Sequence, residues 1–156
     1  MQTPIADFVK KYAKNHGIRF HMPGHKGETY LGCESYDVTE IKGADALYEA
    51  DGIIAESEKS ATQLFGTGRT LFSTEGSSHC IRAMLYLVMQ YQKRKYPYIM
   101  AARNVHKAFL YAAALIGFEV EWMWPEKRES LCGCSVTAEQ VERMLQNAKE
   151  LPAAVY

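Results

Sequence analysis

Apolar positions recur along this chain in two rhythms, helical spacing and short continuous runs, and their order predicts its elements. Ile5, Phe8, Val9 and Tyr12 form one helical face behind Thr3-Pro4, a hydroxyl and an imide suited to an N-cap and a first helical position. Asn15-His16-Gly17 offers a glycine for a left-handed cap at the far end. Ile18 to Phe20 is a short apolar element, and residues 37–52 are polar, acidic and without period, which predicts loop with a short helix at 44–49. Ile53 to Phe65 predicts a second helix with Ile54, Ala61, Leu64 and Phe65 inward, closed by Gly66-Thr67-Gly68.

The chain is organised around the stretch that follows. Thr70 to Thr74 predicts a strand, Glu75-Gly76-Ser77-Ser78 a tight turn, and Ile81, Met84, Leu85 and Val88 a helix face. That helix is expected to end in Lys93, Arg94 and Lys95, cations that favour a C-terminal dipole end, before Tyr96-Pro97 stops it. Residues 98–101 predict a strand, 103–107 a polar turn, 108–116 a helix capped by Gly117, and 118–124 a strand stopped by Pro125. After a loop at 126–135, Thr137 and Gln140 make a capping box for a helix facing inward with Val141, Met144, Leu145 and Ala148. Residues 153–156 begin another strand. Strands alternating with helices predict a parallel α/β sheet with right-handed crossovers, whose ligands sit at the strands' carboxyl ends. The turns at 75–79 and 103–107 both leave such ends, so both are expected at one crevice.

Composition narrows the partners. The 156 residues are 47% hydrophobic and 23% charged, which suits a folded globular domain and excludes a disordered or fibrous one. Eighteen basic and eighteen acidic side chains cancel, so no net field favours nucleic acid or an anionic membrane. No apolar run approaches the roughly 20 residues that span a bilayer, and the N-terminus lacks the order of a signal peptide; the expected location is the cytoplasm. Cys33, Cys80, Cys132 and Cys134 are too irregularly spaced for a disulfide framework, and the C-x-C pair has no second pair to complete a zinc site; reduced thiols are expected.

Candidate chemistry begins at the turn before the central helix. Its first N–H groups and the helix dipole favour an anion, Gly76 admits close approach, and Ser77 and Ser78 add hydroxyl donors. An ordinary serine N-cap on a core helix has the same pattern. His21 and His25, within HMPGHKG, have ligand-like spacing, but Pro23 and Gly24 preclude the helix that would bring such a pair onto one face. A polar cleft wall or a surface loop suits them better than a metal. His106, leaving the neighbouring strand, is placed either to cover a flat aromatic ligand or to bond the backbone of its own turn.

Taken together, RFHMPGHKG at 19–27, DVTE at 37–40, ADGIIAESEKSATQLFG at 50–66, STEGSSH at 73–79 and ARNVHKA at 102–108 resemble the pyridoxal-phosphate-dependent ornithine/lysine/arginine decarboxylases. Their order and spacing are the family's, and the likeness is to a shorter branch that lacks an extra N-terminal domain. The resemblance implies a partial three-layer α/β/α large domain of the aspartate-aminotransferase-like fold type I, mostly parallel. It implies an N-terminal helix and entry segment over 1–36, an incomplete cofactor-binding large domain over 37–156, and a homodimer or higher multiple with sites at the subunit interface. Carried over by residue, Gly76, Ser77 and Ser78 would hold the phosphate of pyridoxal 5′-phosphate, His106 would stack on its ring, and His21 and His25 would border the cleft. His79-Cys80 departs from the family, where a small hydroxyl or alanine and then asparagine commonly stand.

The resemblance also implies that the lysine joining the cofactor, the aspartate beside its ring nitrogen and the small domain lie beyond the point matching Tyr156. No catalytic residue is therefore assigned, and the chain alone is expected to be inactive. The expected parent activity is removal of the α-carboxylate from lysine, arginine or ornithine. Alternatives are a fold-type-I aminotransferase or lyase, and a non-catalytic module that dimerises with a full-length relative.

Overall fold

The computed structural model describes residues 2–15, 17–127, 130 and 132–156. It divides into two compact units, Met1–Phe72 and Ser73–Tyr156.

In the first unit, helix α1 (Pro4–Ala13) packs against helix α2 (Ile53–Phe65), and the α1 backbone N–H of Ile5 donates to Ser57 Oγ at 3.3 Å. The expected face is borne out: Ile5, Phe8, Val9 and Tyr12 are half-buried. The predicted ends are borne out only in part. Pro4 opens α1, but the Thr3 side chain caps nothing, and the helix closes at Lys14 in right-handed geometry, with Gly17 outside the left-handed region. Ile18 and Phe20 form no strand and are more than 80% exposed. The helix expected at 44–49 shrinks to a 3-10 turn, Leu47–Glu49. Gly66 closes α2 as predicted, in left-handed geometry, but Leu64 and Phe65 are 60% and 71% exposed. Periodicity identified the apolar positions there; nothing in the last turn of α2 covers them.

The loop before α2 is built on one carboxylate. Asp45, at φ 69°, accepts from the N–H groups of Ala46 (2.9 Å), Asp51 (3.3 Å), Gly52 (2.9 Å) and Ile54 (3.0 Å), so it serves as the remote N-terminal cap of α2. Burial would raise its pKa, but the four N–H groups outweigh burial and hold it at about 2. Glu34, bonded to the N–H groups of Leu31, Tyr30 and Gly32, is likewise held at about 2. Both groups bind protons less readily folded than unfolded. Their stabilisation is complete above the ordinary carboxylate range and is lost as pH falls from about 4 toward about 2. We expect Asp45→Asn to lower the melting temperature at neutral pH by about 4–8 °C and to flatten the acid limb of a melting-temperature titration.

In the second unit, α3 (Gly76–Tyr91), β1 (Tyr98–Ala102), α4 (Lys107–Ile116), β2 (Glu119–Met123), α5 (Ala138–Asn147) and β3 (Ala154–Val155) follow in sequence. The strands form a parallel sheet in the order β2-β1-β3, with Ile99 opposite both Val120 and Ala154. Central β1 carries Ile99, Met100 and Ala101 fully buried, as a strand covered on both faces requires. Edge strand β2 instead exposes Glu119 and Glu121, charges that discourage strand addition. Leu85 and Met89 of α3 and Phe109 and Ala112 of α4 close the core over Ile99 and Ala101.

The expected strand at 70–74 is absent. Its backbone donors go elsewhere: Thr70 N–H to Thr62 Oγ1 at 2.9 Å and Phe72 N–H to Glu58 Oε1 at 2.8 Å. The sheet therefore has three strands among the described residues, not four. α3 also ends earlier than predicted, at Tyr91. Gln92 is extended and its Oε1 takes the Arg94 N–H, so the Lys93-Arg94-Lys95 run lies past the helix. Met84, expected inward, is 45% exposed. The capping box at α5 is half made: Thr137 Oγ1 accepts from Gln140 N–H at 3.2 Å, but the Gln140 amide donates to Trp124 O at 2.6 Å.

Candidate functional site

The turn before α3 is built from inside its own sequence. Ser73 Oγ accepts the Glu75 N–H at 3.3 Å and is hydrogen-bonded to His79 Nδ1, 3.0 Å away. That bond ties the turn to the first turn of α3, and it gives His79, the departure noted in the sequence, a local job. Gly76 opens the helix at φ 65°, a region costly for any side chain, and the space where a Cβ would stand is open to 4 Å.

The Glu75 side chain makes no cap bond to α3, and among the described residues no other side chain bonds its first N–H groups. Its leading N–H groups thus stay available at the positive end of a 16-residue helix, with Ser77 exposed and Ser78 half-buried beside them. Amides, two hydroxyls and an open glycine fit a phosphate dianion. One feature opposes it: Glu75, the N-cap residue, puts a carboxylate at the same helix end, where Arg82 Nη2 meets its Oε2 at 3.0 Å.

His106 is the N-cap of α4. Its Nδ1 accepts the Ala108 N–H at 3.1 Å, so the ring proton sits on Nε2 and the ring is held against its own helix start. The imidazole remains exposed, so its face is open to a flat ligand. Bonding to its own turn and covering a ring are therefore compatible roles. α3 and α4 pack on each other within this unit, but no hydrogen bond or ring contact joins His106 to Ser77 or Ser78 among the described residues. Beside His106, Arg103 draws in the loop after β2, its Nη2 reaching Ser130 O at 2.8 Å and Gly133 O at 2.7 Å.

His21 and His25 belong to the first unit, and each has its own partner. His21 Nε2 meets the Tyr12 hydroxyl at 2.9 Å, and its Nδ1 is buried with no partner among the described residues. Arg19, 7% exposed, lies over the Tyr12 ring at 4.9 Å and donates to Ser35 O at 3.1 Å. His25 Nε2 meets Asp37 Oδ2 at 3.0 Å. Between them the chain doubles back tightly: a Cβ on Gly24 would lie 2.6 Å from His21 O. Neither histidine lines the open cleft of about 580 Å³ in this unit, whose walls include Glu40, Glu49, Asp51 and Glu56.

Sequence reasoning missed Asp45, Arg82, Arg103 and the Tyr12–His21 bond. Only Glu75 and Arg82 carried a readable signal, opposite charges seven apart, two turns of one helix. Among the described residues no three or more His, Cys, Asp or Glu gather to hold a metal, and no helix is long and apolar enough to cross a membrane.

The family model of the Orn/Lys/Arg decarboxylase major domain matches residues 3–154. An arginine decarboxylase of Halalkalibacterium halodurans is 33% identical over 156 aligned residues, covering 92% of this chain and 31% of that protein. Arginine decarboxylases of Bacillus subtilis (31% identical; 92% of this chain, 31% of that protein) and Bacillus anthracis (29%; 93% and 31%) are similar to it as well. The chain thus spans about a third of the length of the curated relatives it matches.

Proposed function

We propose, from the premise that this chain belongs to the Orn/Lys/Arg decarboxylase family, that it carries the phosphate and ring contacts of a pyridoxal-phosphate enzyme decarboxylating a basic amino acid. The architecture is a partial fold-type-I domain with a parallel three-stranded sheet. The observation that carries the proposal is the uncapped start of α3, open at Gly76 and flanked by two hydroxyls, in the same unit as the exposed ring of His106.

When bound, the cofactor supplies an electron sink for the pair left at Cα as carbon dioxide departs. This chain's residues bind and orient. Ser77 and Ser78 donate N–H and O–H groups to the phosphate, and Gly76 keeps the approach free of a side chain. His106, its tilt fixed by the Ala108 N–H, offers its face to the pyridine ring. The family resemblance assigns His21 and His25 to the substrate side of an assembled enzyme, a homo-oligomer or a complex with a longer relative, and not to the open cleft of the first unit. The relatives named as arginine decarboxylases make arginine the first substrate to test.

The test supplies a second polypeptide covering the remainder of a relative, with pyridoxal phosphate, and measures carbon dioxide from arginine, lysine and ornithine. Release from one of them, lost with Ser77→Ala/Ser78→Ala, is the expected result. Amino transfer without release would reject decarboxylation. A non-catalytic role as a partner for a longer relative is favoured by Leu87, Tyr91 and Leu115, which are 65%, 93% and 75% exposed. Co-purification with the relative in the absence of release would support that second role.

A further inference from the structure

The donors that suit a phosphate at α3 share their turn with an acid. Glu75 is the N-cap residue, and a carboxylate at the positive end of a helix already holds the position that a second anion would seek. Unopposed, it would repel a phosphate ester bound by the amides of Ser77 and Ser78. Arg82 opposes it. Its side chain runs back along the helix, as helical side chains lean, with Nε donating to Ser78 O at 3.3 Å and Nη2 to Glu75 Oε2 at 3.0 Å. The guanidinium is thereby anchored at both ends of the phosphate turn.

We infer that Arg82 sets the charge of this turn: it neutralises Glu75 and lends its fixed positive charge to the phosphate group of the ligand. The inference rests on the phosphate assignment of Ser77 and Ser78 made above. Arg82 touches no reacting atom, so it is a positioning residue that acts through Glu75 and through the field at the helix start. Its planar fork can hold the carboxylate with one N–H and keep others for a phosphate oxygen, which a lysine could not do with the same geometry. Both side chains are partly exposed, at 36% for Arg82 and 59% for Glu75, so water and salt screen the effect to a few-fold change in affinity.

An exposed ion pair along a helix can also be merely structural, and the two roles differ in what they discriminate. A structural pair would alter melting temperature and leave ligand preference alone. Charge setting alters the preference for a phosphorylated ligand over its unphosphorylated parent. The probes are pyridoxamine 5′-phosphate and pyridoxamine, which carry no aldehyde to react with surface lysines.

Affinities for both are titrated on the whole chain, on Arg82→Gln, on Glu75→Gln and on the double variant, at low and at high salt, with helix content checked by circular dichroism. Arg82→Gln is expected to weaken the phosphorylated probe about fivefold without changing the other. Glu75→Gln is expected to act in the opposite direction, about threefold tighter, and the double variant to return near the parent; high salt should shrink every difference. If Arg82→Gln does not fold, Glu75→Gln alone still decides by its sign. A phosphate preference that is retained in the parent, abolished by Ser77→Ala/Ser78→Ala and indifferent to both charge variants would overturn this inference and leave the phosphate site standing. No preference in the parent would overturn both.

Discussion

Replacing Ser77 and Ser78 together by alanine is expected to weaken binding of pyridoxamine 5′-phosphate roughly 100-fold while leaving pyridoxamine almost unaffected. A hydrogen bond to a charged acceptor contributes about 1.5–3 kcal/mol net, and the lower figure suits a turn where Ser77 is exposed and water can substitute. Two such bonds lost give about 3 kcal/mol, or two decades of affinity. The backbone N–H groups remain, so binding falls and does not vanish. His106→Ala is expected to weaken both probes alike, because its contact is with the ring they share. It also removes the cap on Ala108 N–H, so Asn is the better replacement where stability interferes, since its short side chain can still accept at an N-cap. Equal loss of both probes in the serine variant would remove Ser77 and Ser78 from phosphate recognition, and with them the central support of the proposed function.

Most of the second unit was legible in its sequence because its signals are local. Gly117 and Thr137 mark helix ends that the structure keeps, and the run Ile99-Met100-Ala101 reads as a strand buried on both faces. The start of α3 was legible for the same reason, since Gly76-Ser77-Ser78 combines a special backbone position with donors on adjacent residues. What failed was everything decided at a distance. Thr70 to Thr74 has the composition of a strand, yet Thr62 and Glu58 of α2 capture its donors, and no local pattern announces that competition. Asp45 caps a helix that begins eight residues later, beyond the window in which capping patterns are read. At α5 the capping box named the right residues and only half of the bonds, because the carbonyl of Trp124 outbid the helix for the Gln140 amide.

The histidines show the same division. His106 was legible as a turn residue with two possible roles, and its bond to Ala108 supplies the one that sequence spacing can express. His21 and His25 were legible as a pair too close to a Pro-Gly turn to share a helix face. Their partners, Tyr12 and Asp37, sit nine and twelve residues away along a chain with no regular period between. Only tertiary structure could supply them.

The largest stability effect is expected at Phe109. Its ring is fully buried, 4.7 Å from Tyr156, 5.7 Å from Phe118 and 6.2 Å from Trp122, so it locks α4 to the sheet. Truncating a buried phenylalanine to alanine costs about 3–5 kcal/mol through lost transfer energy and the cavity left behind. A domain of this size is stable by only about 5–15 kcal/mol, so Phe109→Ala should populate the unfolded second unit measurably in mild denaturant. His106 is tied to this core by the Phe109 N–H, which donates to His106 O at 2.9 Å and closes the first turn of α4, and by the N–H of buried Ala108, which donates to its Nδ1 at 3.1 Å. Phe109→Leu retains enough volume to keep the fold at a smaller cost and tests that link separately. It should weaken pyridoxamine and its phosphate by the same factor, because a loosened α4 disturbs the ring contact of His106 and leaves the α3 turn intact. Denaturant unfolding and hydrogen exchange at β1 and α4 measure the first expectation, and the two affinities measure the second. A Phe109→Ala protein that unfolds at the parent's denaturant midpoint would show that this ring is not the keystone of the core, and a Phe109→Leu protein that loses phosphate preference would show that α3 and α4 cannot be perturbed independently.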